Sequence, residues 1–401
     1  MVDHVIVGLE KLIDTPELSR NWGACGLLCN QASLTLDWQH ASVVLRKVLQ
    51  NRFKVIFGPQ HGYMGTAQDN MIETPHGRYE DSEIKIYSLY SETREPTEEM
   101  LAEIDTLIID LQIVGCRIYT FKATIAACLK SAKKYGKRVV VLDRPNPLGG
   151  QHVEGRCLDR DLKSFVGPSE IPMRHGLSAG EAALLFNQEY GAELEIVPLQ
   201  NWSWEKAWYG GNRPWILTSP NLPTIDPVYV YPGMVIFEAC NVSEGRGTGL
   251  PFQFFGSPFC SDPAAIKSRI YSYLGRIPGV FVREAAFEPT SGKWMGRLCK
   301  GLQVHILDPD SIFSYHFALA MMKSFWDDLG EHFSFKNPPY EYNYDILPLK
   351  LILGSEKVVE HIENYSVDDV FWHEGISAYC EKAQNLLLYP RELQSGNFYS
   401  C

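Results

Sequence analysis

Polar side chains suited to binding or proton transfer follow directly on a short apolar run, residues 53–57. Gly58 and Pro59 end the run, and Gln60 and His61 come next. A histidine can move a proton near neutral pH, and an amide can orient water or hold a hydroxyl group. Ligands of open α/β sheets bind outside the carboxyl ends of the strands, so this loop is a candidate site. The alternative is a solvated loop in which the histidine bonds locally.

Two more apolar runs end in polar side chains. TLIID ends at Asp110, and Arg117 and Tyr119 lie shortly after it. KRVVVL is followed by a loop, stiffened by two prolines, that holds Arg144 and Asn146. An ion pair with a neighbour is the alternative role for Arg144. Three successive strand ends with polar loops together predict a shared site at one edge of a sheet.

Further candidates lie in two glycine-containing segments. HGLSAGE contains His175 and Glu181, and the serine three residues before Glu181 completes a helix capping box. A structural role for Glu181 is therefore as good an interpretation as catalysis. NVSEGRGT contains Asn241, Glu244 and Arg246, but it lacks the lysine and the spacing of a phosphate-binding P-loop. Arg246 either pairs with Glu244 or binds an anionic ligand.

The elements that must position these side chains follow a βαβ rhythm. Strands are predicted over 23–30, 53–57, 84–89, 106–110, 137–142 and 194–198, with helices over 41–49, 98–104, 120–135 and from 178. This pattern predicts an α/β domain with a parallel sheet. Beyond residue 225 the rhythm breaks, and strands over 281–287 and 301–307 with helices near 314–327, 354–364 and 374–387 predict a smaller α+β domain. We place the two domains at 1–228 and 229–401.

Composition excludes several classes of protein. The chain has 401 residues, 45% of them hydrophobic, which is enough for two well-formed cores. With 48 acidic and 37 basic residues its net charge is −11, which argues against a nucleic-acid partner and against an anionic membrane surface. No run approaches the roughly 18 apolar residues of a membrane helix.

The remaining features point to the cytoplasm. The first twenty residues carry acidic side chains and no long apolar core, unlike a secretory signal. The ten cysteines show no metal-ligand spacing, so we expect buried free thiols in a reducing compartment and no metal site. The first predicted strand is followed by LLCNQAS and not by GxGxxG, which argues against a dinucleotide-dependent dehydrogenase.

Several long motifs in the same order resemble those of the NamZ-type exo-β-N-acetylmuramidases, across nearly the whole chain. They are GPQHG, DLQIVGCRIYT, DRPNPLGG, RHGLSAGE, SPNLP, YPG followed by NVSEGRGT, and LLLY. The resemblance implies a Rossmann-like N-terminal domain, a C-terminal auxiliary domain and an active cleft between them. It also implies release of N-acetylmuramic acid from the non-reducing end of peptidoglycan fragments, without a metal or nucleotide cofactor.

Two positions depart from that family's pattern by losing an acid. Gln60 stands where the motif usually has glutamate, and Ile113 stands where it usually has aspartate. An amide cannot act as a general acid, so the catalytic carboxyl group must be supplied elsewhere or be lost. We expect Glu244 to be the surviving carboxylate, ahead of Asp110.

The other candidate residues are given roles by the same resemblance. Glu181 and His61 are further candidates for the catalytic group, and His61 or His175 would move protons or bind hydroxyl groups. Arg246 or Arg117 would bind the lactyl carboxylate that distinguishes muramic acid from glucosamine. Tyr119, Arg144, Asn146 and Asn241 complete the predicted substrate-binding set.

Two alternatives to this glycosidase remain open. One is a catalytically silent descendant that binds or senses sugars, and the other is a glycosidase with a changed substrate. Muramic-acid-containing fragments are the expected partners in the first interpretation. The sequence does not set the oligomeric state.

Overall fold

The computed structural model describes residues 4–69, 71–79, 82–202, 204–205, 207–208 and 213–395. Strands within these residues are β1 Cys25–Cys29, β2 Phe53–Gly58, β3 Gly77–Arg78, β4 Lys85–Ser88, β5 Thr106–Asp110, β6 Arg138–Leu142, β7 His152–Val153, β8 Glu193–Val197, β9 Phe254–Ser257, β10 Val280–Phe287, β11 Cys299–Ile306 and β12 Gln394–Ser395. Helices of the same residues are α1 Gly8–Asp14, α2 Ala41–Leu49, α3 Glu98–Leu101, α4 Phe121–Tyr135, α5 Ala179–Tyr190, α6 Asp226–Met234, α7 Pro263–Leu274, α8 Ser314–Leu329, α9 Pro348–Leu353, α10 Val358–Glu363 and α11 Ile376–Gln384.

The N-terminal part is an α/β layer structure, as the βαβ rhythm predicts. Its sheet has the order β3-β4-β2-β1-β5-β6-β8, and every neighbouring pair is parallel except β3 with β4. All residues of β1 and β5 are buried, which is typical of strands covered by helices on both faces. The chain moves outward from β1 to β2 and β4, then returns to β5 on the other side of β1. The polar loops after these strands therefore lie at one edge of the sheet.

Local signals explain where the principal helices of this part begin and end. Ser178 accepts a hydrogen bond from the backbone of Glu181, and the Glu181 carboxylate accepts one from the backbone of Ser178. The predicted capping box is thus confirmed. Gly136 ends α4 and Gly191 ends α5, both in the left-handed conformation that glycine adopts without a steric cost.

The C-terminal part is the predicted α+β domain. Its antiparallel sheet has the order β10-β11-β9 and packs with α7, which in turn packs against α8. The YPG motif, Tyr231 to Gly233, lies inside α6, a helix that the sequence analysis did not predict. Gly233 is required there because a Cβ atom would lie 2.0 Å from the Ser314 carbonyl oxygen on α8.

The domain boundary at residue 228 stays a prediction. That residue lies within α6, so the chain passes from one part to the other along a helix. The end of the described chain then returns to the N-terminal part, where β12 pairs in parallel with β7. None of the helices in the described ranges has the length and apolarity needed to cross a membrane.

Candidate active site

A cleft of about 430 Å³, part of it open to solvent, lies between the two parts of the chain. Gln60, His61 and Tyr119 line it from the N-terminal part. Glu238, Arg246 and Glu341 line it from the C-terminal part. The cleft therefore collects four of the predicted site residues and two carboxylates that were not predicted.

A tight turn after β2 directs Gln60 and His61 into the cleft. His61 has φ 69° and Gly62 has φ 83°, so two consecutive residues adopt the left-handed conformation. Gly58 allows the turn to close, because a Cβ atom there would lie 2.7 Å from the Tyr63 backbone nitrogen. The strand end and its glycines thus fix the direction of both side chains.

Gln60 connects the two halves of the cleft through its amide group. Its oxygen accepts a hydrogen bond from the Thr120 hydroxyl. Its nitrogen donates to the Tyr90 hydroxyl at 3.0 Å and to Glu341 Oε1 at 3.1 Å. An amide at this position can hold a carboxylate in place, but it has no acidic proton of its own to transfer.

His61 is held as a neutral imidazole. Its Nδ1 lies 2.8 Å from the Ala67 carbonyl oxygen, which can only accept, so Nδ1 carries the proton. Its Nε2 then accepts from the Ser219 hydroxyl at 3.1 Å. Burial lowers the pKa of His61 to about 4, and the nearby Arg246 charge acts in the same direction. His61 is therefore a hydrogen-bonding group at neutral pH and not a proton donor.

Glu341 reaches the cleft from a tight turn. The backbone groups of Tyr340 and Asn343 exchange two hydrogen bonds of 3.0 Å, and the two residues between them have φ 44° and 65°. Tyr90 donates to Glu341 Oε2 at 2.6 Å. Burial raises the pKa of the Glu341 carboxyl group, although the hydrogen bonds from Tyr90 and Gln60 act in the opposite direction.

Glu238 belongs to a charged network centred on Arg246. One carboxylate oxygen pairs with Arg246 Nη2, and the other accepts from the Tyr340 hydroxyl at 2.7 Å. Arg246 Nε also lies 3.1 Å from Glu244 Oε1. Burial alone would lower the pKa of Arg246, but the charges of Glu238 and Glu244 outweigh it and raise that pKa.

Glu244 lies behind Arg246, outside the lining of the cleft. Its second oxygen pairs with Lys293 Nζ at 2.7 Å, and only 3% of its side chain is exposed. Both of its oxygens are therefore occupied by cations. The geometry favours Glu238 over Glu244 as the carboxylate that meets a ligand, and the catalytic role of Glu244 stays a prediction.

Comparison with known proteins identifies the family to which this arrangement belongs. Residues 25–226 match the model described as exo-beta-N-acetylmuramidase NamZ, N-terminal, and residues 229–389 match its C-terminal counterpart. The chain belongs to the NamZ family. It is 36% identical over 335 residues to the peptidoglycan beta-N-acetylmuramidase NamZ of Bacillus subtilis (strain 168), covering 82% of this chain and 80% of that protein.

Solved structures show the same fold. A DUF1343 family protein of Bacteroides fragilis NCTC 9343 superposes with a TM-score of 0.83 at 26% identity, covering 96% of this chain and 99% of that one. A second DUF1343 family protein from the same organism gives a TM-score of 0.72 at 24% identity, covering 97% and 100%. The second similarity concerns the fold alone.

Asp110 and Arg144 lie at the predicted edge of the sheet in this NamZ-family chain, but away from the cleft. They form a buried bidentate ion pair with distances of 2.5 and 2.9 Å between guanidinium nitrogens and carboxylate oxygens. The structure therefore supports the alternative role of Arg144, pairing with a neighbour. Asp110 has no exposed surface from which to contact a substrate in this structure.

Arg117, Asn146 and His175 are buried among backbone groups. Arg117 donates to three carbonyl oxygens at 2.8 Å, one of them Ile352 of the C-terminal part. Asn146 accepts from the Leu148 backbone at 3.0 Å, and His175 accepts from the Leu177 backbone at 3.1 Å. Burial lowers the pKa of His175 to about 3, with Lys122 contributing. None of these three side chains lines the cleft.

The last three predicted residues divide between cleft and scaffold. Tyr119 lines the cleft and donates to the Thr218 hydroxyl at 2.6 Å. Glu181 pairs with Arg391 at 2.5 Å with neither side chain exposed, so its contacts are structural. Asn241 bonds the backbone of His332 at 2.7 Å and of Ser334 at 3.1 Å.

Sequence reasoning missed Glu238, Glu341 and Tyr90 as members of the site. Glu238 lies in the segment between the YPG and NVSEGRGT motifs, and its place beside the glycine-rich motif was the available signal. Glu341 follows Tyr340 in a segment, PPYEYNYD, whose spacing indicates no known chemistry. Its contact with Gln60 spans 281 positions in the sequence, which no local pattern could reveal.

Proposed function

We propose that this chain is an exo-acting β-N-acetylmuramidase that removes N-acetylmuramic acid from the non-reducing end of peptidoglycan fragments. The observation that carries this proposal is the pair of buried carboxyl groups, Glu238 and Glu341, that line one cleft between the two NamZ-family domains. Glycoside hydrolysis uses two carboxyl groups flanking the bond that breaks. The cleft thus contains the functional groups that the reaction needs, although position 60 is an amide.

Arg246 supports muramic acid as the sugar. Its Nη1 forms no hydrogen bond within the described ranges and lies 3.6 Å from an oxygen of Asp69, a side chain that is 65% exposed. Guanidinium N–H groups donate strong, charge-assisted hydrogen bonds to carboxylates, and Nη1 is the nitrogen of Arg246 that is not paired with Glu238 or Glu244. The lactyl carboxylate of muramic acid would meet Arg246 at the cleft wall, and N-acetylglucosamine has no such group.

Aromatic rings support a sugar ligand in general. Tyr119, Tyr231 and Phe252 line the cleft and pack edge to face, with ring centroids 6.0 and 5.0 Å apart. Aromatic faces accommodate the C–H groups of a pyranose ring, while a nearby phenol or amide satisfies its hydroxyl groups. Gln60 and His61 line the same cleft as these rings.

We also propose that the protein works in the cytoplasm on fragments released during wall recycling. The nine cysteines of the described residues are all free thiols, which fits a reducing compartment. Short fragments, rather than intact wall, are the substrates that such a compartment would contain.

Product analysis tests the proposed activity. The protein would be incubated with a disaccharide in which N-acetylmuramic acid is β-linked to N-acetylglucosamine, and the products would be separated by mass. We expect free N-acetylmuramic acid, no cleavage of fragments that end in N-acetylglucosamine, and a loss of about 100-fold or more in Glu238→Gln. Binding of the disaccharide without any release would instead support the silent sugar-binding alternative, which Gln60 favours.

A further inference from the structure

Glu341 is buried in the cleft wall with one neutral donor on each carboxyl oxygen. Gln60 Nε2 lies 3.1 Å from Oε1, and the Tyr90 hydroxyl lies 2.6 Å from Oε2. Only 5% of the residue is exposed, and within the described ranges it forms no ion pair. Two donors of fixed geometry therefore hold the carboxyl group in one orientation without neutralising it.

The backbone at Glu341 is held in a conformation that its residue type disfavours. The turn from Tyr340 to Asn343 has positive φ at both central positions, 44° at Glu341 and 65° at Tyr342. Such turns normally use glycine, asparagine or aspartate, because the side chains of other residues crowd the backbone in this conformation. Left-handed residues of this kind cluster at active sites, where the strain serves to place a side chain.

Tyr342 and Tyr90 pack against one another and against the same arginine, Arg94. The Arg94 guanidinium lies 3.7 Å from the ring centroid of Tyr342 and 4.8 Å from that of Tyr90. The two tyrosine rings themselves pack edge to face at 5.6 Å. This packing supports both the turn that carries Glu341 and the phenol that bonds to it.

The two carboxyl groups of the cleft have opposite environments. Glu238 forms an ion pair with the Arg246 guanidinium group and accepts a hydrogen bond from the Tyr340 hydroxyl. Glu341 is held by neutral donors, and burial together with the negative charge of Glu238 raises its pKa against the effect of those donors and of Arg246. In glycosidases, two carboxyl groups with different surroundings take different roles, and the one that burial keeps protonated acts as the acid.

Resting on the proposed glycosidase function, we propose that Glu341 is the catalytic acid of this chain and that Gln60 and Tyr90 position it. The Glu341 carboxyl group would donate its proton to the oxygen that bridges muramic acid to the next sugar. The bond from that oxygen to the anomeric carbon breaks, and its electron pair stays on the oxygen. Water then supplies hydroxide to the anomeric carbon, and its remaining proton returns Glu341 to the acid form over the complete cycle.

In this assignment Gln60 has a role that a glutamate would not share. Its amide donates to Glu341 Oε1 and accepts from Thr120, so it stays neutral at every working pH. Tyr90 also stays neutral, because burial and the adjacent Glu341 raise its pKa. Neither residue competes with Glu341 for the proton.

The test compares two leaving groups in the native protein, Glu341→Gln and Glu238→Gln. One substrate is a dinitrophenyl β-N-acetylmuramide, whose leaving group needs no proton, and the other is the muramic acid–glucosamine disaccharide. We expect Glu341→Gln to lose about 100-fold or more in kcat/KM with the disaccharide and less than about 10-fold with the dinitrophenyl substrate. Glu238→Gln should lose activity with both substrates.

The pH dependence provides a readout that a merely structural role would not change. We expect the alkaline limb of the native kcat/KM profile to be absent in Glu341→Gln. In Tyr90→Phe the same limb should move to higher pH, since a donor that favours the charged carboxylate is removed. Tyr90→Phe also keeps the test decisive if Glu341→Gln does not fold.

The outcomes separate this assignment from the proposed function. A native protein that cleaves neither muramide overturns both. Two results would overturn the assignment of Glu341 alone, in a native protein that cleaves both substrates. One is an equal loss of kcat/KM with the two leaving groups in Glu341→Gln. The other is an alkaline limb that does not move in Tyr90→Phe.

Discussion

At the scale of single residues, one arginine organises the charge of the cleft. Arg246 contacts two glutamates, one lining the cleft and one behind it, and 16% of its side chain is exposed. The arginine in NVSEGRGT was recognisable in the sequence as either a partner of Glu244 or an anion-binding group. The structure shows the pairing with Glu244. Arg246 Nη1, which forms no hydrogen bond within the described residues, is left to bind an anion.

Arg246→Lys should weaken recognition of the lactyl carboxylate. Lysine keeps the charge, but its single ammonium group cannot pair with Glu238 and Glu244 and also donate to the ligand. We therefore expect inhibition by free N-acetylmuramic acid to weaken about 10- to 100-fold. Inhibition by N-acetylglucosamine should change little. Arg160→Lys, at a side chain that is 81% exposed, is the matched control. Equal weakening of both inhibitors would contradict this role of Arg246.

The sequence located Gln60 and His61 because a strand end followed by glycine and proline is a local pattern. It did not locate Glu341, since the function of that residue depends on a partner brought near by folding. It also placed Asp110 and Arg144 at the correct sheet edge, yet their side chains satisfy one another. Proximity to a strand end indicates a position, whereas the available partners decide the role.

At the scale of elements, the segment that contains Tyr389 and Arg391 is bound to the start of α5 and to the strand end at Asp143. Arg391 donates to both Glu181 oxygens and to the carbonyl groups of Gly150 and Gly176. Tyr389 donates to Asp143 Oδ2 at 2.5 Å. These contacts give Glu181 a second structural task beside its capping box. The capping box was visible in the sequence because it is local, while the contact with Arg391 spans 210 positions.

Glu181→Gln should destabilise the protein without changing the chemistry. Removing one partner of a buried ion pair leaves Arg391 uncompensated, and we expect a loss of about 3–5 kcal/mol in the free energy of unfolding. Urea denaturation would measure it. Glu189→Gln on the same helix is the control, because Glu189 is 55% exposed and its pair with Lys163 is worth about 1 kcal/mol or less. Unchanged stability together with a large loss of kcat in folded Glu181→Gln would instead favour a catalytic role.

At the scale of the whole molecule, buried histidines set the response to acid. Burial lowers the pKa of His61 to about 4 and the pKa values of His175 and His316 to about 3. An unfolded histidine titrates near 6.5, so below that pH the unfolded chain binds protons that the folded chain does not. Asp143 and Glu341 act in the opposite sense, since burial raises the pKa of Asp143 to about 7 and also raises the pKa of Glu341.

The net prediction is a loss of stability as the pH falls from 6.5 towards 4. Each of the three buried histidines contributes a slope of about 1.4 kcal/mol per pH unit, and Asp143 and Glu341 together offset at most about two of them. The urea midpoint of unfolding, measured at pH 7, 6 and 5, should decrease steadily below pH 6.5. A midpoint that stays constant or rises over this interval would show that the three histidines are not held neutral.

The α/β and α+β parts were predictable because apolar periodicity is a local property. The cleft between them was implied only by family resemblance, since its walls come from loops far apart in the sequence.

The most direct test of the account is the rate at which the native protein and Gln60→Glu hydrolyse a chromogenic β-N-acetylmuramide. We predict turnover by the native protein, with the alkaline limb displaced to higher pH in Gln60→Glu because two adjacent carboxyl groups cannot both ionise readily. No native turnover, with activity appearing only in Gln60→Glu, would contradict the account and identify the cleft as a sugar-binding remnant.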